Sequence, residues 1–126
     1  MPEAMQPYDE LSLTSSRPAD GCVVLTVTGE VDLLTTPGLD AEITKQLSGN
    51  PPSTLVLDLT GVVFFGSSGL AALIRAATVA QERGVRLLLV ASGRAVLRPL
   101  EVTTTASLFD VHATVDAALA ASDRAV

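Results

Sequence analysis

Few side chains in this chain have the chemistry of an active site. His112 is its single histidine and Cys22 its single cysteine. A metal centre built from such residues needs several of them at set spacings, so no metal cluster is expected. A Ser–His–Asp set would have to use His112 without the strand–turn–helix motif that presents a nucleophilic serine. A lone histidine more commonly sits on the surface or packs into the fold. Neither a GxGxxG run nor a Walker sequence occurs, so the usual nucleotide cradles are missing. What remains is a pair of hydroxyls, Ser67 and Ser68, held between Gly66 and Gly69. Two readings of that segment follow from its residues. Serine at a helix start is a preferred N-cap, contributing about 1 kcal/mol. Alternatively, the backbone N–H groups of such a start cradle a phosphate, as in a small nucleotide-binding protein.

The elements around this segment set where the hydroxyls lie. Leu11 and Leu13 open a first strand that Pro18-Ala19-Asp20-Gly21 ends, and Asp20-Gly21 is a hairpin signal. The β-branched run Cys22–Thr28 reads as a central strand. Thr35-Thr36-Pro37 then starts a helix, with Thr36 placed to accept its first N–H bonds and Pro37 at the first helical position. Leu39, Ile43 and Leu47 recur at helical spacing until Ser48-Gly49-Asn50-Pro51-Pro52 stops it. Leu55–Leu59 is a continuous apolar run with one acid, suited to a strand covered on both faces. An apolar link, Val62–Phe65, leads to Gly66-Ser67-Ser68-Gly69 and a second helix striped by Leu70, Leu73, Ile74 and Ala77. Gly84 ends that helix, and Val85–Val90 reads as a further buried strand. Arg94–Leu100 reads as a short helix, with Pro99 either near its end or kinking it. A short strand near Phe109–His112 precedes a last helix capped by Thr114.

Alternating strands and helices after an opening hairpin predict an α/β domain with a mixed sheet. We expect residues 1–10 to form a loose tail, 11–121 one domain, and 122–126 a frayed end. At 126 residues and 48% hydrophobic, the chain is long enough to bury a core without disulfides or metals. The net charge of -6 repels a phosphate backbone, so nucleic acid is not an expected partner. No apolar stretch approaches the roughly 20 residues that span a bilayer, and residues 1–10 do not resemble a signal peptide. With one cysteine, a reducing compartment is the simplest inference, and we expect a cytoplasmic protein with no membrane partner.

Three stretches resemble the STAS family, in particular its anti-sigma factor antagonists. Gly29-Glu30-Val31-Asp32 matches a motif at the end of the hairpin strand. Leu57-Asp58-Leu59, Val62–Phe65 and Gly66-Ser67-Ser68-Gly69-Leu70 match a second, in which an Asp-Ser-Ser-Gly-Leu segment opens a helix. Leu108–Leu119 matches a third. The resemblance spans residues 10 to 121. It implies the STAS fold, a mixed sheet of about five strands with about four helices.

The resemblance also implies a partner switch rather than an enzyme, with no cofactor. The unphosphorylated antagonist binds an anti-sigma factor that is also a serine kinase, which frees a sigma factor. Phosphorylation of the antagonist separates the pair, and a serine phosphatase resets it. The family's phosphoacceptor maps to Ser68, with Ser67 the alternative. Glu30, Asp32, Gly66, Ser67, Ser68, Gly69 and Leu70 are the residues expected at the partner. Asp32 has a plainer reading as a helix cap or loop charge. One departure stands out, because Gly66 occupies a position where many members carry Asp. Another is Glu101–Thr105, which lacks the glycine-containing turn usual after the third helix. The alternative function is a constitutive STAS interaction or scaffold module without a phospho-switch.

Overall fold

The computed structural model describes residues 11–124. The expected tail over 1–10 and the last two residues lie outside that range. Five strands and four α-helices follow one another: β1 (Leu11–Ala19), β2 (Cys22–Val31), α1 (Thr36–Leu47), β3 (Thr54–Phe65), α2 (Ser67–Glu82), β4 (Arg86–Val90), α3 (Arg94–Val102), β5 (Asp110–His112) and α4 (Val115–Arg124). A single 3-10 turn, Ala106–Leu108, precedes β5. The strands lie in the sheet in chain order. β1 pairs antiparallel to β2 through the Asp20-Gly21 turn, and every later pair is parallel. This is the mixed α/β sheet that the alternation predicts. α4 is helical through Arg124, into the segment where fraying was expected.

Alternation along the strands sorts two apolar layers. Val23, Leu25 and Val27 of β2, Leu55, Leu57 and Leu59 of β3, and Leu89 of β4 face one side. Leu39, Ile43 and Leu47 of α1, Leu73, Ala76 and Ala80 of α2, and Val96 and Leu100 of α3 close over them. Cys22, Val24, Val56, Leu88 and Val90 face the other side, where Val115, Ala118 and Leu119 of α4 cover them. Thr114 caps α4 as expected, its hydroxyl accepting the Ala117 N–H at 3.0 Å. Each fully buried leucine contributes about 1.5–3 kcal/mol relative to exposure. These layers therefore dominate what holds the sheet together.

The buried stripe of α2 differs from the expected one. Gly69, Ala72, Leu73, Ala76 and Ala80 are buried, whereas Ile74 is exposed and Leu70 and Ala77 are half-buried. Small residues win because α2 lies close against the sheet, where Cβ-sized side chains fill the gap and longer ones are turned aside.

β3 also differs. The expected apolar link Val62–Phe65 is a continuation of the strand, which pairs with β2 up to Val31–Phe65. Two register shifts make this length fit. One lies between the Thr26–Asp58 and Thr28–Gly61 pairs, the other between Gly29–Val62 and Glu30–Phe64. In each, β3 carries one residue more than β2, which is a β-bulge. At the first bulge, the Asp58 carboxylate accepts bonds from the Thr60 N–H (3.1 Å) and hydroxyl (2.7 Å). At the second, period-2 alternation breaks. Val62 and Phe65 point inward while Val63 and Phe64 both face solvent.

The α3 terminus replaces the usual glycine with Thr104, at φ 55°. The Thr105 N–H bonds the Leu100 carbonyl at 3.0 Å and the Thr104 N–H bonds that of Glu101 at 3.1 Å. That pattern is the Schellman motif, which α2 closes with Gly84 at φ 71°. Pro99 stands inside α3 rather than at its end. A non-glycine residue in the left-handed region costs on the order of 1 kcal/mol or more. Thr104→Gly is therefore expected to stabilise the fold by up to about 1 kcal/mol, glycine's larger unfolded-state entropy offsetting part of the relieved strain. Urea unfolding followed by far-UV circular dichroism measures it, and an unchanged or lowered midpoint contradicts it.

Candidate functional site

The site forms where two neighbouring parallel strands end side by side. β2 ends at Val31 and β3 at Phe65, directly opposite. The Gly66 N–H then bonds the Val31 carbonyl at 2.9 Å. The turn from β2 into α1 and the turn from β3 into α2 are thereby clamped together, although some 30 residues separate them in sequence.

Gly66, with extended φ and ψ, is the N-cap of α2, and no side chain caps the helix. This corrects the reading of the serines as capping residues. Ser67 and Ser68 are the first two helical residues instead, and their hydroxyls are not committed to the helix end. Ser67 is exposed and Ser68 half-buried. The N–H groups of the first helical turn have no partner within a helix. They and the dipole of a 16-residue helix favour an anion at this point.

Gly69 is buried, and a Cβ there would lie 2.6 Å from Val31 Cγ1 and 2.9 Å from Phe65 Cε1. Its role is close packing of α2 on the strand ends. Leu70 packs against the main core. Gly69 has no side chain to present, and Leu70 is half-buried.

The opposing turn is held by a compact hydrogen-bond knot. Asp32 Oδ1 accepts the N–H groups of Leu34 and Thr35, each at 3.0 Å. The Thr35 hydroxyl donates to the Glu30 carbonyl at 2.8 Å and accepts the Asp32 N–H at 2.9 Å. Asp32 thus holds the turn as a hydrogen-bond acceptor. Thr35, not Thr36, holds the N-cap position of α1, and it makes no side-chain cap bond. Thr36 is the first helical residue and Pro37 follows it. Instead of accepting an N–H, the Thr36 hydroxyl donates to the Asp32 carbonyl at 2.6 Å. It also lies 3.1 Å from Ser68 Oγ, joining the two turns.

This knot lifts Leu33 and Leu34 into solvent, where they are 79% and 71% exposed. Val63 and Phe64, turned out by the β3 bulge, are 70% and 51% exposed. Phe64 borders Gly66, since a Cβ on Gly66 would meet its ring at 3.3 Å. Four large apolar residues thus stand exposed at the strand ends, two in the turn after β2 and two on the last residues of β3 before Ser67 and Ser68. Exposed apolar clusters of this kind mark interaction surfaces. None of the four is among the residues expected at the partner from sequence. The signal available was an unbroken apolar pair in a turn, Leu33-Leu34, where polar residues are usual. Within residues 28–37 and 59–74 the only charged side chains are those of Glu30 and Asp32. Glu30 is half-buried on β2 opposite Phe64.

Other chemistry lies elsewhere or is not assembled. His112 sits on the edge strand β5, with Nε2 3.0 Å from Asp110 Oδ1, separated from β2 by two strands. Cys22 is buried beneath α4. Among the described residues no group of three or more His, Cys, Asp or Glu could hold a metal ion, and no helix is long and apolar enough to cross a membrane.

The family model for the STAS domain matches residues 15–118. The chain belongs to the STAS family. The anti-sigma-F factor antagonist RsfB of Mycobacterium tuberculosis is 33% identical over 100 residues, covering 79% of this chain and 80% of RsfB. The crystal structure of an anti-sigma factor antagonist from Mycobacterium paratuberculosis superposes with a TM-score of 0.79 at 32% identity, over 93% of this chain and 97% of that one. SpoIIAA, an anti-sigma factor antagonist, shares the fold in its unphosphorylated form at 16% identity, with a TM-score of 0.76 over 91% of this chain and 99% of that one. The phosphorylated form of Bacillus SpoIIAA has the same fold, with a TM-score of 0.67 at 16% identity over 86% of this chain and 96% of that one.

Two glycines in this STAS chain test the local packing. Gly69→Ala is expected to lower stability by about 1–3 kcal/mol, since its Cβ overlaps Val31 and Phe65. Gly66→Asp is expected to raise it by roughly a few tenths of a kcal/mol through a new N-cap, because φ there is -88° and the half-exposed Phe64 ring has room to yield. Denaturant midpoints decide both, and equal midpoints for the two variants would contradict this account of the helix start.

Proposed function

We propose that this chain is an anti-sigma factor antagonist switched by phosphorylation of Ser68. Its unphosphorylated form docks on an anti-sigma factor with serine kinase activity, and a sigma factor is released. Phosphorylation of Ser68 by that kinase ends the association, and a serine phosphatase restores it. The chain acts by binding rather than by catalysis. One observation carries this reading: a serine hydroxyl not used for capping stands at a helix mouth, beside four outward-facing apolar side chains. The antagonist relatives of similar length support the same direction.

The chemistry asks little of the antagonist itself. Ser68 Oγ attacks the γ-phosphorus of ATP bound by the kinase. An Oγ–P bond forms, the bond to the β,γ-bridging oxygen breaks, and ADP leaves. The serine proton passes to a general base of the kinase. The product carries about -1.5 to -2 charge. Its own fold tolerates that charge, since a helix N-terminus stabilises an anion by about 0.3–1 kcal/mol. A docked partner does not tolerate it. Neither turn supplies a Lys or Arg to neutralise the phosphate, and Glu30 and Asp32 add like charge. An unpaired phosphate buried in an interface costs several kcal/mol, and each 1.4 kcal/mol is tenfold in affinity.

The apolar patch supplies the affinity that the phosphate cancels. Glu30 and Asp32 lie beside it, Asp32 acting mainly by shaping the turn that displays Leu33 and Leu34. Ser67 is the more exposed hydroxyl of the pair. Ser68 is favoured by the family pattern, and its defined hydrogen bond to Thr36 orients it.

Incubation with the cognate kinase and ATP, followed by mass-spectrometric mapping, is expected to place phosphate on Ser68. Ser68→Ala should bind the partner and resist phosphorylation, whereas Ser68→Glu should lose at least about tenfold in affinity by calorimetry. Phosphate on Ser67 alone would reassign the acceptor. Binding that ignores both phosphate and Ser68→Glu would favour the constitutive scaffold. Separately, Leu33→Asp is expected to weaken partner binding by about tenfold or more while changing stability by less than about 0.5 kcal/mol, because Leu33 is exposed. Unchanged affinity would remove the apolar patch from the docking surface.

A further inference from the structure

The Thr36 hydroxyl is buried, with the residue only 5% exposed, and has two neighbours. It lies 2.6 Å from the Asp32 carbonyl oxygen and 3.1 Å from Ser68 Oγ. A threonine bonding the carbonyl four residues back is ordinary in a helical turn. The second contact is not, because it crosses to another helix. Counting protons fixes its direction. A carbonyl oxygen only accepts, so the single Thr36 hydroxyl proton is committed to Asp32. The proton in the second contact therefore belongs to Ser68, which donates to Thr36. The resting Ser68 hydroxyl is thus pinned by a residue on the neighbouring crossover, with its proton directed inward.

We infer that Thr36 is a positioning residue for Ser68 and that it transmits the chemical state of Ser68 to the turn bearing Leu33 and Leu34. The inference deepens the reading of Ser68 as the phosphoacceptor and rests on it. Once Oγ is bonded to phosphorus it has no proton to give. Two acceptor oxygens would then face each other across 3.1 Å. A phosphate oxygen is an ionised acceptor and outcompetes a neutral carbonyl for a hydroxyl proton. The Thr36 hydroxyl turns to the phosphate and leaves the Asp32 carbonyl, which keeps the Thr36 N–H at 2.9 Å and a long contact from the Thr35 hydroxyl at 3.5 Å. That carbonyl belongs to the peptide joining Asp32 to Leu33, the first unit of the turn. Phosphorylation thereby loosens the base of the exposed leucine pair as well as placing charge beside it.

The test installs phosphoserine at position 68 by genetic code expansion, so it does not depend on any kinase. The carbonyl carbon of Asp32 and the amide nitrogen of Leu33 report bonding to that peptide by NMR. In the wild type, phosphoserine should move both resonances. Thr36→Val should produce a displacement in the same direction without phosphate, and phosphoserine should then add little at these two nuclei. Thr36→Ser keeps the hydroxyl and should respond as the wild type does. Wild-type resonances that stay in place overturn the inference, and that arm needs no variant to fold. A phosphate-induced displacement equally large in Thr36→Val overturns it too. Failure of the kinase to modify Ser68 would instead strike the proposed function and leave this coupling measurable.

Discussion

The parallel pairing of β2 with β3, carried to the last residue of each strand, is the constraint on which the site depends. Val31 stands opposite Phe65, and the Gly66 N–H closes on the Val31 carbonyl. Parallel strands bring their carboxyl ends to one edge, so each following crossover starts there. The turn of Asp32–Thr36 and the mouth of α2 meet for that reason. The buried leucines and valines of both strands supply the free energy that maintains the pairing. Shortening the ladder by two residues would separate the turns and break the Thr36–Ser68 contact.

The surface beside Ser68 is produced by departures from regular structure. A strand that alternated strictly would send Val63 and Phe64 to opposite faces. The bulge between the Gly29–Val62 and Glu30–Phe64 pairs sends both to solvent. On the neighbouring turn, the Asp32 carboxylate and the Thr35 hydroxyl satisfy the backbone. Leu33 and Leu34 are thereby left outside the core. Apolar side chains held outward by satisfied backbone bonds form a built surface, not a loosely packed one. Bulges next to functional sites commonly re-aim side chains in this way.

In the proposed switch, phosphate and apolar patch act on opposite sides of one balance. Apolar contact favours docking, with no opposing charge to pair. A dianion at the same place is compatible with α2, whose N-terminus favours it, and incompatible with a covered interface. The separation between folding and binding is physical. The helix end tolerates a hydrated anion, whereas an interface must dehydrate it. A switch built this way alters association without asking the domain to unfold.

Much of the architecture could be read directly from the residues. The β-branched run Cys22–Thr28, the apolar run Leu55–Leu59, the stripe Leu39-Ile43-Leu47 and the Thr114 cap each carry a local signal of period, propensity or capping, and local signals survive into the fold. The Ser67-Ser68 pair stood out because its type and flanking glycines are local too. What the sequence could not decide was anything set by a neighbour distant along the chain. The stripe of α2 shifted onto Gly69, Ala72 and Ala76 because the gap to the sheet is set by Val31 and Phe65. Val62–Phe65 became strand because β2 was there to pair with it. Gly66 displaced the serines from the cap, and Thr36 turned from capping its own helix to holding Ser68 on another. Propensity is a property of a segment, but exposure, register and hydrogen-bond direction depend on what lies across the gap, and only the folded chain supplies that.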